Sequence, residues 1–277
     1  MKITMRKLLE IGIIIALLLM MYSICRADNS YLQFDGSTGY VSVLSNAALD
    51  FGTDDFSFCF WVKLDTITTQ QYIFHRVLGA DPVPYSCLID IDFINNVSVL
   101  ECCLSSPGNS WLYQNVLTND RVGKWLLITI VKTSAGVQFY LNSVAVAMIG
   151  NNTGNPSLTF SAITYLGAYY DTIEFYSFFS GSLDDFRIYK SALSQADVTY
   201  LYNGGMGRKY VVGQLSVEPS ATWDMDEGTG TTITDAVGGT LYGTFTGGVR
   251  WVSGGVPLKG YDRHRDRYKG NYRSRYQ

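Results

Sequence analysis

The strongest constraint on this chain is a long series of short segments in which apolar and polar residues alternate, each bounded by Gly, Asn, Asp or Ser. The runs YLQFDG, GYVSVL, DFSFCFWVKL, QQYIFHRVL, YSCLIDIDF, VSVLECCL, KWLLITIVKT, GVQFYLNS, SAITYLGA and DDFRIYK share this character and are rich in β-branched and aromatic residues. Alternate residues of a strand face opposite ways, so period 2 gives each segment one face to bury. A single sheet would leave that face wet, and so many segments between residues 31 and 205 require two sheets packed together. The expected fold is all-β, a two-sheet antiparallel β-sandwich of the jelly-roll kind. One short helix is signalled near residues 195–202. Ser194 is its N-cap, Asp197 a capping-box partner, Leu193 and Val198 a hydrophobic staple, and Asn203-Gly204-Gly205 its stop.

The two ends of the chain differ from this body. Lys2, Arg6 and Lys7 precede an apolar run from Ile11 to Ile24, and Cys25-Arg26-Ala27 supplies small residues where a signal peptidase cuts. Residues 1–27 read as a secretory signal peptide, because the apolar run is shorter than the roughly 20 residues of a spanning helix. A secreted or cell-surface product without stable membrane insertion follows; the alternative is an uncleaved anchor. Residues 259–277 carry seven basic and two acidic side chains interleaved with tyrosines, whereas residues 28–258 carry 10 basic and 21 acidic ones. The acidic body argues against sequence-specific nucleic-acid binding and suits calcium, which takes hard oxygen ligands. The tail has too few aliphatic residues to fold alone; it is a solvated extension, a polyanion-binding arm or a contact to another protein copy.

Removal of residues 1–27 would leave Cys59, Cys87, Cys102 and Cys103, an even number that permits three disulfide connectivities. A three-residue hairpin loop at Ile94-Asn95-Asn96 would put Cys87 opposite Cys103 and favour that pair. Four buried free thiols are the other reading.

FDGSTGYVSV, DFSFCFWVKL, KWLLITIVKTSAGVQFYLN and GSLDDFRIYKSALSQADVTYLYNG, in that order, resemble the laminin-G-like (concanavalin A-like) jelly-roll domains of secreted and cell-surface proteins. The resemblance covers residues 31–205 and implies a fold rather than a function, since such domains include sugar-binding, adhesion and accessory modules, and the wider superfamily includes glycan-cleaving enzymes. Two departures stand out. Asn142 is followed by Ser143 where such domains usually have Gly, which serves a positive-φ turn less well. Residues 218–255 resemble the segment that normally opens the domain, yet here they come last. They either fold back to complete the sandwich of residues 28–217, with the segment running to 258, or begin a second repeat; folding back is preferred because so short a β segment cannot bury enough surface alone.

Catalysis finds little support. Period 2 places Asp184 with Phe186 and Ile188 on one face and Asp185 with Arg187 on the other, so these carboxylates diverge, whereas glycosidases need two facing one bond. The superfamily glucanases carry a motif resembling Glu-x-Asp-x-x-Glu, which is absent here, and Glu101, Glu174, Glu218 and Glu227 are scattered. His75, in an expected strand, has no serine or zinc-ligand pattern around it. Because first and last strands of these jelly rolls commonly adjoin, Asp35 and Asp184 could share a structural calcium; both could equally bind turn amides. Sugar contacts are expected on two loops with rings and amides: Asn109, Trp111, Tyr113 and Gln114 in SSPGNSWLYQN, and Tyr169, Tyr170, Asp171, Glu174 and Tyr176 in GAYYDTIEFYSFFSG. These rings could instead pack on the sandwich. The resulting expectation is a non-catalytic module for carbohydrate or surface glycoconjugate, with a structural or adhesion role through protein contacts as the alternative and a glycan-active enzyme third.

Overall fold

The computed structural model describes residues 29–78, 85–94, 97–105, 110–114, 117–147, 149–150, 157–159 and 161–256. Residues 1–27 and the basic tail lie outside this set. Nineteen strands are formed: β1 (Ser30–Asp35), β2 (Tyr40–Val43), β3 (Phe56–Leu64), β4 (Gln71–Leu78), β5 (Tyr85–Ile94), β6 (Val97–Ser105), β7 (Ser110–Gln114), β8 (Trp125–Thr133), β9 (Gly136–Leu141), β10 (Val144–Val146), β11 (Ile149–Gly150), β12 (Thr164–Leu166), β13 (Tyr169–Tyr170), β14 (Phe175–Tyr176), β15 (Ser180–Tyr189), β16 (Ala221–Trp223), β17 (Thr232–Thr234), β18 (Tyr242–Thr246) and β19 (Val249–Ser253). Among the described residues there is one α-helix, α1 (Gln195–Tyr202), with Ser194 and Asp197 in a complete capping box and Asn203 in the left-handed conformation at its end. Among the described residues no helix is long and apolar enough to cross a membrane.

All strand pairs are antiparallel. An eight-stranded sheet runs β10-β9-β8-β3-β15-β1-β19, with β16 also on β15, and a nine-stranded sheet runs β11-β7-β6-β5-β4-β12-β2-β18-β17. The inward residues of both, such as Leu32, Phe58, Phe60, Phe74, Ile89, Leu100, Ile130, Phe139 and Phe186, form one buried core. Their burial is the main favourable term, each large apolar side chain contributing roughly 1.5–3 kcal/mol relative to exposure. The outward face of the eight-stranded sheet is covered by a second cluster, in which Cys59, Trp61, Leu127 and Tyr189 meet Leu193, Val198 and Leu201 around α1. The outward face of the eight-stranded sheet is therefore capped by α1.

Residues 218–256 belong to both sheets. β19 pairs with β1, β16 with β15 and β18 with β2. Trp223 is fully buried and its Nε1 donates to the Leu241 carbonyl. Close packing dictates Gly243, where a Cβ would come within 2.6 Å of both Val41 and Ile233 side chains.

The expected Cys87–Cys103 bridge does not form. The β5–β6 register pairs Ile94 with Val97, hence Cys87 with Leu104 and Leu88 with Cys103, one residue off the anticipated alignment. A one-residue slip reverses faces. Cys87 accordingly points into the main core with Cys102, and Cys103 into a cluster on the opposite face. Cys59, Cys87, Cys102 and Cys103 are all buried free thiols.

The β9–β10 connection is a two-residue turn with Asn142 at φ 50° and Ser143 at φ 67°. Asn142 Oδ1 also accepts from the Leu127 amide, so this residue has a second role. Ser143 takes the strain of a left-handed conformation, and the hydrogen bond that its carbonyl accepts from Gln195 Nε2 does not depend on its side chain. We expect Ser143→Gly to raise stability by about 0.5 kcal/mol, the αL relief exceeding the added unfolded-state entropy. Urea denaturation should show a higher midpoint at unchanged slope, and a lower midpoint would refute the account.

Candidate functional site

The two aspartates of DDFRIYK do not diverge. The β15–β3 ladder pairs Asp184 with Trp61 and next Arg187 with Cys59, so one extra residue bulges between them, and Asp185 takes φ 50°. The bulge moves Asp184 off the Phe186 side. Leu183 and Phe186 face the main core, while Asp184 lies opposite Trp61 and accepts from the Val256 amide in the α1-side layer. The physical reason lies on the other edge of β15. β1 occupies it along Ser180–Leu183 and β16 along Phe186–Ile188, which leaves Asp184 and Asp185 at the joint between two partners.

Both carboxyls are buried there. Asp185 is held by Arg187 through Nε and Nη2, each at 2.7 Å, and Arg187 also donates to the Arg208 carbonyl. Burial pushes Asp185 up to about 7 against the pull of Arg187. Burial, and then the Asp185 charge, push Asp184 well above the usual carboxylate range. A Cβ on Gly255 would lie 2.5 Å from Asp184 Oδ2, 2.9 Å from the Ser30 carbonyl and 3.0 Å from Asn29 Oδ1, so three oxygens converge on a point only glycine leaves free. Asp184 Oδ1 and Asn29 Oδ1 are buried without a hydrogen-bond partner.

Asp35 is elsewhere. It lies opposite Ser180, four residues from Asp184 along β15, or about 13 Å at strand spacing. Its carboxylate accepts from the amides of Ser37, Thr38 and Gly39 and from the hydroxyls of Ser37 and Thr38. Desolvation pushes this carboxyl up, but the Thr38, Ser37 and Gly39 hydrogen bonds outweigh it and hold it well below its usual range. Asp35 and Asp184 thus do not meet around one ion. Among the described residues no group of three or more His, Cys, Asp or Glu side chains is placed to hold a metal.

The outward face of the nine-stranded sheet has two halves. Over one half lies the β13–β14 hairpin, which contains five of the residues expected to touch sugar. Tyr169 is buried, its ring 4.4 Å from His75 and 4.8 Å from Tyr72. Tyr170 stacks on Phe175, and Phe175 on Tyr40 of β2. Asp171 caps the turn by accepting from the Ile173 and Glu174 amides, both at 2.8 Å. Glu174 and Tyr176 are exposed. Most of these rings therefore pack on the sheet, and the exposed polar rim is Glu174 and Tyr176. Of the other loop, Asn109 lies outside the described residues. Trp111, Tyr113 and Gln114 belong to β7, opposite Cys103, Glu101 and Leu100, with their side chains outside the described set.

On the same face, next to Tyr72, is a carboxylate pair not anticipated from sequence: Asp90 of β5 lies directly opposite Glu101 of β6. They are 1% and 5% exposed. Burial, then Glu101 and Asp92, push Asp90 well above its usual range, and burial with Asp92 raises Glu101 to about 7. Tyr72, opposite Asp90 on β4, is pushed up by burial and then by Asp90. His75 is held neutral, lowered to about 3 by burial. The alternation in YSCLIDIDF and VSVLECCL marks Asp90, Asp92 and Glu101 as outward residues, but only the register makes Asp90 and Glu101 neighbours.

The second half of the face, over β12, β2, β18 and β17, is open except where the hairpin rings Tyr170 and Phe175 rest on Tyr165 and Tyr40. Tyr165, Ser42, Thr244 and Thr232 form one transverse row across these strands. Thr246 pairs with Tyr40 and Thr234 with Tyr242. Leu44, Tyr242 and Ile163 are 74%, 55% and 40% exposed beside them. No outward position of these four strands carries a charge. A sheet face this size would ordinarily be studded with Lys, Glu or Arg. Its hydroxyls and ring faces can instead meet an uncharged, hydroxylated partner.

The family model of the concanavalin A-like lectin/glucanases superfamily (Laminin_G_3) matches residues 35–199. The chain belongs to this laminin-G family. No curated protein matches the sequence. Among solved structures, a candidate carbohydrate-binding protein from Bacteroides ovatus ATCC 8483 shares 16% identity at TM-score 0.57, over 84% of this chain and 62% of that one. This laminin-G chain thus spans less than two thirds of that relative. A heptameric SAP-like pentraxin from Limulus polyphemus shares 15% identity at TM-score 0.49, over 72% and 93% of the two chains. The serotype D botulinum neurotoxin ligand-binding domain, solved with N-acetylneuraminic acid, shares 17% at TM-score 0.49, over 64% and 42%. At such identities the likeness is one of fold.

Proposed function

We propose that this laminin-G chain is a secreted, non-catalytic module that binds carbohydrate or surface glycoconjugate on the outward face of its nine-stranded sheet. The observation that carries the reading is the open half of that face, where Thr232, Thr234, Thr244, Thr246, Ser42 and the ring of Tyr242 stand together on strands whose outward positions carry no charged side chain. Aromatic faces stack on sugar C–H surfaces and hydroxyls exchange hydrogen bonds with sugar hydroxyls. The fold shared with the Bacteroides protein supports it. Binding is favoured over cleavage because, among the described residues, the facing carboxylates Asp90 and Glu101, like Asp184 and Asp185, are buried rather than set out on the sheet face where a glycan would lie.

Calcium is a structural part of the proposal, moved from the Asp35–Asp184 pairing to Asp184 with Asn29 and the Ser30 carbonyl. Such oxygens suit a hard cation; of the three, Asn29 Oδ1 is buried without a partner, as is the other Asp184 oxygen, Oδ1. An ion there would tie β1, the β15 bulge and the residues after β19 together. Thermal unfolding should then shift upward with calcium and downward with chelator, and Asp184→Asn should remove the difference; a chelator-insensitive midpoint would exclude the ion.

The binding reading is tested on residues 28–277 by glycan array and titration calorimetry. Thr244→Asp, which places a charge in the centre of the open face, should weaken the best glycan at least tenfold, about 1.4 kcal/mol, with the fold intact. Saturable binding that Thr244→Asp leaves untouched would move the site off this face, and an array without hits would favour the alternative of protein contacts.

A further inference from the structure

The Asp90–Glu101 pair is at odds with its surroundings. Two carboxylates directly opposite each other in adjacent strands repel when both are charged, and burial strengthens that repulsion. The groups that act on the pair are Asp92 from β5 and Gln70 and Tyr72 at the start of β4; Tyr169 and Tyr176 of the hairpin and His75 gather around Tyr72, and Cys103 of β6 lies in the same cluster. Arg76 of β4 points to the other side of the sheet, where it pairs with Asp50 at 2.6 Å. Asp90 Oδ1 is buried without a hydrogen-bond partner.

A short relay joins this pair to the hairpin. The Gln70 amide hydrogen-bonds Asp90 and also donates to the Tyr72 hydroxyl at 3.2 Å. The Tyr72 ring carries Tyr169 at 4.8 Å, and the Tyr72 amide donates to the Ser177 carbonyl at 3.0 Å, where the chain leaves β14. The hairpin is itself strained: Thr172 has φ 84° and Ser177 φ 50°, neither a glycine. Its ladder is only two residues per strand. Such a segment is held down by what its rings touch rather than by its own hydrogen bonds.

We propose that Asp90 and Glu101 form a proton-operated latch on the β13–β14 hairpin. While at least one of them is protonated the hairpin stays on the sheet. When both are charged, their repulsion displaces Tyr72 and loosens the hairpin, which bares Tyr72, His75 and Tyr165 as an extension of the open glycan face. The direction follows from burial, which favours the neutral acids. The closed state is complete at acid pH, survives the ionisation of Glu101 at about 7, and is lost as pH rises further and the more deeply buried Asp90 ionises as well. Only the last step, extension of a glycan surface, rests on the proposed function.

Hydrogen exchange of the amides of residues 169–177, expressed as protection factors from pH 5 to pH 9, reads the latch directly. Wild type should lose roughly tenfold protection in the hairpin per pH unit above the transition, while β3 and β8 keep theirs. Glu101→Gln, which keeps shape without charge, should hold the hairpin protected throughout; Asp90→Asn makes the same comparison should that variant fail to fold. Constant wild-type protection across the range, or an equal loss in both variants, would overturn the latch. Opening without any glycan hit on the array would leave the latch standing and defeat the carbohydrate reading.

Discussion

Arg187→Ala is expected to destabilise the fold by about 3–5 kcal/mol, because it strands the Asp185 carboxyl in the layer between β15 and α1. Asp185 is buried and opposed at once by Asp184, Asp224 and Asp226, so removal of the guanidinium leaves charge with no compensation. The Arg208 carbonyl loses its donor as well. In the variant Asp185 can be accommodated only as the neutral acid. Its folded pKa is already raised to about 7 with Arg187 present, and without it moves further up. Below about pH 7 Asp185 is protonated in both proteins, so the variant's deficit should be smallest there and should grow as pH rises above that value. The double variant Asp185→Asn with Arg187→Met should recover much of the loss, since it removes both charges. Chemical denaturation at pH 5 and pH 9 measures all of this, and an Arg187→Ala penalty below 1 kcal/mol at the higher pH would mean that the pair does not hold the bulge.

A chain ending at residue 217 is expected not to fold cooperatively. It would lack β16, β17, β18 and β19, and with them Trp223, Met225, Ile233 and Leu241 from the core. The loss also bares the β1 edge that β19 covers and the β2 edge that β18 covers, and unpaired strand edges invite aggregation. Trp223→Ala isolates the largest single part, at about 3–5 kcal/mol. Size-exclusion chromatography and thermal melts of residues 28–217 would show aggregate or a transition without cooperativity. A monodisperse fragment with a sharp melt would instead make residues 218–256 an appendage, and the shared core would have to be far less important than its burial implies.

Much of the architecture was legible in the residues. Period-2 segments predicted the strands because burial of one face needs no knowledge of the partner, and the fold class follows from their number. The α1 boundaries were legible because a capping box and a left-handed asparagine act within one turn of chain. The turn at Asn142-Ser143 could be read for the same reason.

Register could not be read in this way. A shift of one residue between β5 and β6 separated Cys87 from Cys103 and set Asp90 against Glu101, although both strands were anticipated in nearly their true extent. A single inserted residue in β15 reversed the face of Asp184, because strict alternation assumes a ladder without bulges and this ladder changes partner at that point. Of the expected ligand residues, Tyr169 became a buried prop, Asp171 a turn cap, and Glu174 and Tyr176 the exposed rim.

Local chemistry, then, sufficed for strands, turns, helix ends and fold class, since each is decided by interactions within a few residues. The pairing of distant strands, the filling of both sheets by residues 218–256, the open uncharged face and the carboxylate pair were decided only in the folded molecule, where packing of one sheet on the other selects a register that no single segment specifies.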